Sequence, residues 1–183
     1  MSTRQWTLDP AHSGVHFAVR HMVVAKVRGT FDRWTLRLAL DEDDLTRSSF
    51  EATLDATSIN TRNEQRDNDL RSPLFLDAAA HPTLTFRSTK IERAGDGYRA
   101  IGDLTIRGVT REVVVEVDEA GFGKSPFGGD RAVFQARAVI DRKDFGLTWN
   151  RALETGGVLV GDKVEIAIDV EAIAQAAEAG VAA

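Results

Sequence analysis

Cysteine is absent from the 183 residues, which excludes disulfides, thiolate nucleophiles, iron–sulfur clusters and cysteine-bound zinc. The sequence also lacks long apolar runs: the longest covers residues 22–25, far short of the roughly 20 residues that a membrane-spanning helix needs. No apolar segment follows a basic start at the N-terminus. We therefore expect neither a transmembrane segment nor a secretory signal, and a cytoplasmic protein.

Positive charge is in the minority, with 23 basic against 28 acidic residues and a formal net charge of −5. This balance argues against nucleic acid as a partner, because the phosphate backbone selects basic proteins. It argues equally against an anionic membrane surface.

Strict alternation of apolar and polar residues is the main pattern that is present. It recurs in Leu36, Leu38 and Leu40, in Val113, Val115 and Val117, and in Val164, Ile166, Ile168 and Val170. Such alternation is typical of antiparallel strands with one buried face. Glycine-containing turns separate the runs, and no regular helix–strand alternation is visible. The chain is therefore predicted to be all-β, as a sandwich or an up-and-down barrel.

One short segment departs from this alternation. Thr61 and Glu64 have the spacing of a capping box, and Pro73 disfavours helical geometry at Ser72, so we predict a helix over residues 62–71 with Thr61 as its N-cap. Leu70 is its one apolar anchor. Three arginines, Arg62, Arg66 and Arg71, surround this helix and could bind an anion. We favour the alternative that they form salt bridges with the acidic residues Glu64, Asp67 and Asp69.

No pattern of catalytic or metal-binding residues stands out. Asp9, His12 and Ser13 are too close along an extended chain to form a triad, and we interpret them as a polar turn. The histidines have no metal-ligand spacing, so we predict no catalytic and no metal residues. Residues 41–44 are expected to form a solvated acidic loop. The alternative, a metal-assisted or hydrolytic enzyme using His12, His21 and nearby carboxylates, stays open.

The interior of such a barrel can be filled or open. Phenylalanines are spread over many segments, while small residues such as Ala52, Ala100 and Ala138 share the inward faces. Alternation alone does not choose between a filled barrel, which would act through its outer surface, and one with room for a guest.

A series of short phrases, in order, resembles the YceI-like, polyisoprenoid-binding family over roughly residues 5–173. The phrases include Trp6-Thr7-Leu8-Asp9-Pro10 with His12-Ser13, Arg20-His21-Met22, Val27-Arg28-Gly29-Thr30-Phe31, Ser58-Ile59-Asn60-Thr61, Gly102-Asp103-Leu104-Thr105-Ile106-Arg107-Gly108, Asp144-Phe145-Gly146 and Val160-Gly161-Asp162-Lys163-Val164.

The resemblance implies an elongated, lipocalin-like antiparallel barrel of about eight strands with one short helix. It implies one domain over residues 1–173, followed by an alanine-rich tail over residues 174–183. In the family the barrel holds an isoprenoid lipid such as a polyprenyl chain or a quinone tail, so we expect a carrier or sequestering protein that needs no other cofactor and does no chemistry. Many relatives are periplasmic, and dimers are common, so a homodimer is expected.

From the alternation we predict which residues contact the ligand. The inward-facing set is Val15, Phe17, Val19, Leu54, Phe86, Leu104, Ile106, Phe134 and Ile140. Residues expected at the mouth or around the helix are Met22, Ile59, Leu70, Phe75, Phe145 and Leu147.

Overall fold

The computed structural model describes residues 3–175, and these residues are mostly strand. The strands are β1 (Arg4–Leu8), β2 (Gly14–His21), β3 (Ala25–Phe31), β4 (Trp34–Leu40), β5 (Ser49–Asp55), β6 (Ile59–Asn60), β7 (Thr83–Ala94), β8 (Gly97–Ile106), β9 (Val109–Lys124), β10 (Asp130–Asp141) and β11 (Val160–Ala174). One α-helix, α1 (Glu64–Arg71), and three 3₁₀ turns, Leu45–Arg47, Ala56–Ser58 and Arg142–Phe145, complete the described elements.

The strands close into an antiparallel barrel. Eight of them are hydrogen-bonded in the order β1-β4-β5-β7-β8-β9-β10-β11, and β1 also pairs with β11, which closes the ring. Strand β11 changes partner along its length: Ala172 to Ala174 face β1, whereas Val164 to Asp169 face β2. Strands β2, β3 and β6 therefore extend the wall beyond the closed ring. The all-β barrel of about eight strands with one short helix is confirmed.

Apolar side chains meet in three clusters along the inside of the barrel. The cluster nearest α1 contains Ile59, Leu84, Ile106 and Phe145, with Leu70 packed against it. A second surrounds Trp6 near the chain termini, and a third surrounds Phe86 midway. Because strand side chains alternate between faces, one period-2 pattern supplies all three clusters.

The helix begins differently from the prediction. Its N-cap is Asn63, whose side chain accepts the Arg66 N–H at 2.9 Å, and Thr61 is not the cap. Thr61 instead donates its backbone N–H and its hydroxyl to the buried carboxylate of Asp67, at 2.9 and 2.6 Å. The helix ends at Arg71, before Ser72, as expected.

The predicted salt bridges around α1 are also wrong. Within residues 3–175, none of the three arginines pairs with an acid of the helix. Arg66 donates to Thr61, and Arg71 donates to the carbonyls of Thr57 and Ile59, at 2.8 and 2.9 Å. The helix is thus bound to the chain before it through backbone carbonyls, and this holds it over the end of the barrel.

Residues 41–44 are not simply a solvated loop, because Asp41 is buried. Its carboxylate accepts the Arg47 guanidinium at 2.8 Å and the N–H groups of Asp43 and Asp44. This network organises the β4–β5 connection. The predicted tail over residues 174–183 lies outside the described residues apart from Ala174, which ends β11, and Gln175. No helix in residues 3–175 is long and apolar enough to cross a membrane.

Candidate functional site

The barrel encloses a cavity of about 680 Å³. Its lining is almost wholly aliphatic and aromatic, which is typical of small-molecule sites, whose volumes run from about 300 to 1,000 Å³. Polar side chains contribute to the lining at a few positions, namely His16, Arg20, His21, Ser48, Arg66, Asp69, Tyr98 and Arg142. The interior is therefore open, and the filled alternative left by the sequence does not hold.

The cavity is long as well as apolar. On β8 alone the lining runs from Tyr98 to Ile106, which is roughly 27 Å of strand at about 3.4 Å per residue. At the end near α1 it reaches Leu70, Phe75 and Trp149. This shape suits an extended chain better than a compact, disc-shaped molecule.

Aromatic pairs lie along the wall and leave the centre free. Phe50 and Phe86 stack at 5.3 Å between the neighbouring strands β5 and β7, and Phe17 and Phe31 meet at 5.8 Å between β2 and β3. Ala52 lies between Phe50 and Leu54 on the same inward face, and its small side chain leaves space in the cavity there.

Fourteen of the fifteen residues predicted to contact the ligand line the cavity. They are Val15, Phe17, Val19, Leu54, Ile59, Leu70, Phe75, Phe86, Leu104, Ile106, Phe134, Ile140, Phe145 and Leu147. Their contact with a ligand stays a prediction. Met22 does not line the cavity: it lies in the β2–β3 turn with a positive φ of 49°, and this turn breaks the strand alternation and points the side chain to solvent.

Sequence reasoning missed a large part of the wall. Leu36, Leu38 and Leu40 of β4 and the alternate residues from Val164 to Val170 of β11 line the cavity. The same alternation would have identified them. Trp34 begins the same alternating run on β4, whereas Trp149 lies outside the strands and no local pattern marks it.

Arg142 is the main buried charge beside the cavity. Its guanidinium donates to the carbonyls of Gly161, Leu147 and Trp149, and Asp162 lies 3.6 Å away. Burial lowers the pKa of Arg142 from its ordinary value. These bonds join the loop after β10 to the start of β11, so the side chain holds these two segments together at the end of the barrel.

The possible metal ligands lie elsewhere. Asp9, His12 and Glu171 each place one ligand atom within 4.8 Å of the others. His12 Nδ1 is 3.1 Å from Asp9 Oδ2, a contact that lowers the Asp9 pKa, and Arg131 donates to Glu171 at 3.1 Å. His21 is not part of this group: it ends β2, and at about 3.3 Å per residue the strand separates it from His12 by on the order of 25 Å.

The family model of the YceI-like domain matches residues 6–172 of this chain. The chain belongs to the YceI-like family. Similar proteins with curated sequences include a UPF0312 protein of Staphylococcus epidermidis, 36% identical over 168 residues, which cover 91% of this chain and 96% of the relative. A UPF0312 protein of Staphylococcus aureus is 35% identical over 167 residues, covering 91% and 95%.

Several solved structures share this fold. The Campylobacter jejuni YceI protein has a TM-score of 0.72 at 26% identity, covering 86% of this chain and 90% of that one. Burkholderia cenocepacia BcnA has a TM-score of 0.77 at 24% identity, covering 90% and 98%. A polyisoprenoid binding domain from Saccharophagus degradans has a TM-score of 0.64 at 15% identity, covering 94% and 99%, and at that identity the likeness concerns the fold alone.

Proposed function

We propose that this YceI-like protein binds a long isoprenoid chain, either a polyprenyl lipid or the tail of a quinone, inside the barrel and carries or sequesters it without chemical change. The observation that carries the proposal is the elongated apolar cavity of about 680 Å³. The polyisoprenoid binding domain of Saccharophagus degradans has the same fold and supports the choice of ligand class.

The energetics favour recognition of the tail. Burying one methylene contributes about 0.8 kcal/mol, so a five-carbon isoprene unit contributes about 4 kcal/mol before ordering costs. Because non-covalent affinity saturates near 20 kcal/mol, a few units inside the cavity suffice for tight binding. Charged contacts to a head group are not required, which agrees with a lining that has few polar groups.

Direct extraction tests the proposal. Purified protein is incubated with a long-tailed quinone or a polyprenol, separated from free lipid and extracted with organic solvent for mass spectrometry. We expect about one lipid per protein. Repeated absence of any apolar guest, with no uptake of either lipid, would contradict the proposal.

A pair of variants on one strand sharpens this test. Phe17→Asp puts a carboxylate into the apolar lining, where an unpaired charge is costly, and we expect at least tenfold weaker uptake in protein that remains folded. Ala18→Asp changes the next residue, which does not line the cavity, and should leave uptake unchanged. Equal effects of the two would mean that Phe17 does not contact the ligand.

A metal-assisted enzyme is the second candidate, favoured by the grouping of Asp9, His12 and Glu171. His21 would not take part in that site. Metal analysis of protein purified without a histidine tag discriminates the two functions. Zinc or iron at one ion per chain, lost in His12→Ala, would favour the enzyme. A cytoplasmic location and a homodimer stay predictions.

A further inference from the structure

The turn between β2 and β3 exposes three consecutive apolar residues. Met22, Val23 and Val24 are 55%, 54% and 82% exposed, and we call residues 22–24 the apolar tip. Loop tips in soluble proteins normally carry glycine, asparagine or other polar residues. A tip made of three large aliphatic side chains points to a partner with an apolar surface.

The backbone of the apolar tip is strained. Met22 has φ of 49° and Val23 has φ of 69°. Left-handed geometry is unfavourable for side chains with a Cβ, and a β-branched valine is among the least suited to it. Strain of this kind persists where the surrounding structure imposes it, and it concentrates at functional segments. Here the left-handed turn projects valine into solvent.

The apolar tip directly adjoins the lining of the cavity. His21 and Leu159 line the cavity, and Met22, next to His21, donates its N–H to the Leu159 carbonyl at 2.9 Å. Leu74, from the segment after α1, both lines the cavity and is 57% exposed. The tip therefore stands at the end of the barrel where the lining meets solvent.

The hairpin that carries the tip is basic. Residues 11–31 contain no aspartate or glutamate, although the whole chain has a net charge of −5. Arg20 of β2 and Lys26 of β3 are cross-strand partners, in the second residue pair from the turn. Arg28 follows on β3. Lys26 pairs with Glu165 at 2.7 Å. The charges of Arg20 and Arg28 also lower the Glu165 pKa, but within residues 3–175 neither guanidinium lies at ion-pair distance from an acid. The hairpin is therefore locally basic, in contrast to the acidic balance of the whole chain that argued against an anionic membrane surface.

We propose that the apolar tip docks this end of the barrel onto an anionic phospholipid bilayer. The aliphatic side chains enter the boundary of the acyl region and the basic residues meet lipid phosphates, a combination typical of interfacial segments. The choice of partner rests on the proposed function, because an isoprenoid chain resides in a bilayer. Docking lets the chain enter the cavity without exposing its full length to water.

Vesicle sedimentation of the full chain without any isoprenoid tests the docking alone. The probes are phosphatidylcholine vesicles and vesicles of phosphatidylcholine with phosphatidylglycerol. We expect binding to the anionic vesicles that weakens with salt, and little binding to the neutral ones. Val24→Asp should reduce binding at least tenfold, and Arg28→Gln should reduce it several-fold on anionic vesicles only. The matched control is Phe127→Asp. Phe127 is also apolar and is 96% exposed, but it lies in the β9–β10 turn at the other end of the barrel.

Three results would overturn the docking proposal: wild-type protein that binds neither vesicle, an equal loss in Phe127→Asp, or a Val24→Asp effect confined to self-association in light scattering. Uptake of polyprenol from detergent micelles separates this proposal from the proposed function. Val24→Asp should retain that uptake, which supports a role outside the cavity. Wild-type protein that takes up polyprenol yet never binds vesicles refutes docking only. Protein that binds vesicles but takes up no lipid refutes the carrier function only.

Discussion

Ala52→Trp tests whether the barrel has free space at its middle. Ala52 lines the cavity on β5, with Leu36 and Phe86 as its cross-strand neighbours. In a filled core, such an enlargement costs about 1–3 kcal/mol through overpacking. In the open cavity the indole occupies free volume, so we expect the free energy of unfolding to stay within about 1 kcal/mol of the wild type in urea titrations.

The same substitution should weaken lipid binding. An indole that displaces one isoprene unit removes about 4 kcal/mol of apolar burial, which corresponds to roughly a thousandfold in affinity. Imperfect contacts reduce that figure, so we expect at least a tenfold loss in retention of a radiolabelled polyprenol on gel filtration. Ala167→Trp, on the exposed face of β11 between Ile166 and Ile168, is the matched control and should change neither quantity. Strong destabilisation by Ala52→Trp would mean that the barrel is filled beside Ala52, and unchanged lipid affinity would mean that the lipid does not occupy that space.

Three further predictions concern stability. Gly29→Ala should destabilise the protein by about 1–3 kcal/mol, because the new Cβ would overlap the Phe17 ring; wild-type stability in urea would show that the ring moves freely. Arg142→Lys should cost at least about 2 kcal/mol, since an ammonium cannot satisfy the same set of carbonyls, and a smaller loss would mean that water replaces them. The Asp55 pKa is lowered to about 2, first by the Thr57 hydroxyl, so its contribution to stability is complete above about 3.8 and is lost as the pH falls through about 2. Titration of Asp55 by NMR should give that midpoint, raised in Thr57→Val; a midpoint near 3.8 in the wild type would contradict it.

The wall of the barrel was predictable from the sequence. A strand places alternate side chains on opposite faces, so once the apolar face is known the lining follows, as Phe17 of β2 and Ile140 of β10 illustrate. The rule ends where the strand ends. Met22 continues the run of apolar residues, but the left-handed backbone turns it to solvent, and no periodicity anticipates that change.

Polar contacts were less predictable because non-local partners decide them. Thr61 and Asn63 both satisfy local rules for a helix N-cap, and the buried Asp67 carboxylate decides between them by taking the Thr61 hydroxyl. Asp41 is buried because the 3₁₀ turn brings Arg47 against it.

The openness of the cavity was also beyond the sequence. It depends on whether aromatic rings lie along the wall or cross the centre, and alternation does not specify that orientation. The stacking of Phe50 on Phe86, between neighbouring strands, decides it at the middle of the barrel.

The most direct measurement is a crystal structure of the protein after incubation with a long-tailed quinone. We predict continuous density for an extended chain inside the barrel, in contact with Leu104 of β8 and Ile166 of β11. A lumen closed by the protein's own side chains, or a quinone bound only on the outer surface, would contradict it.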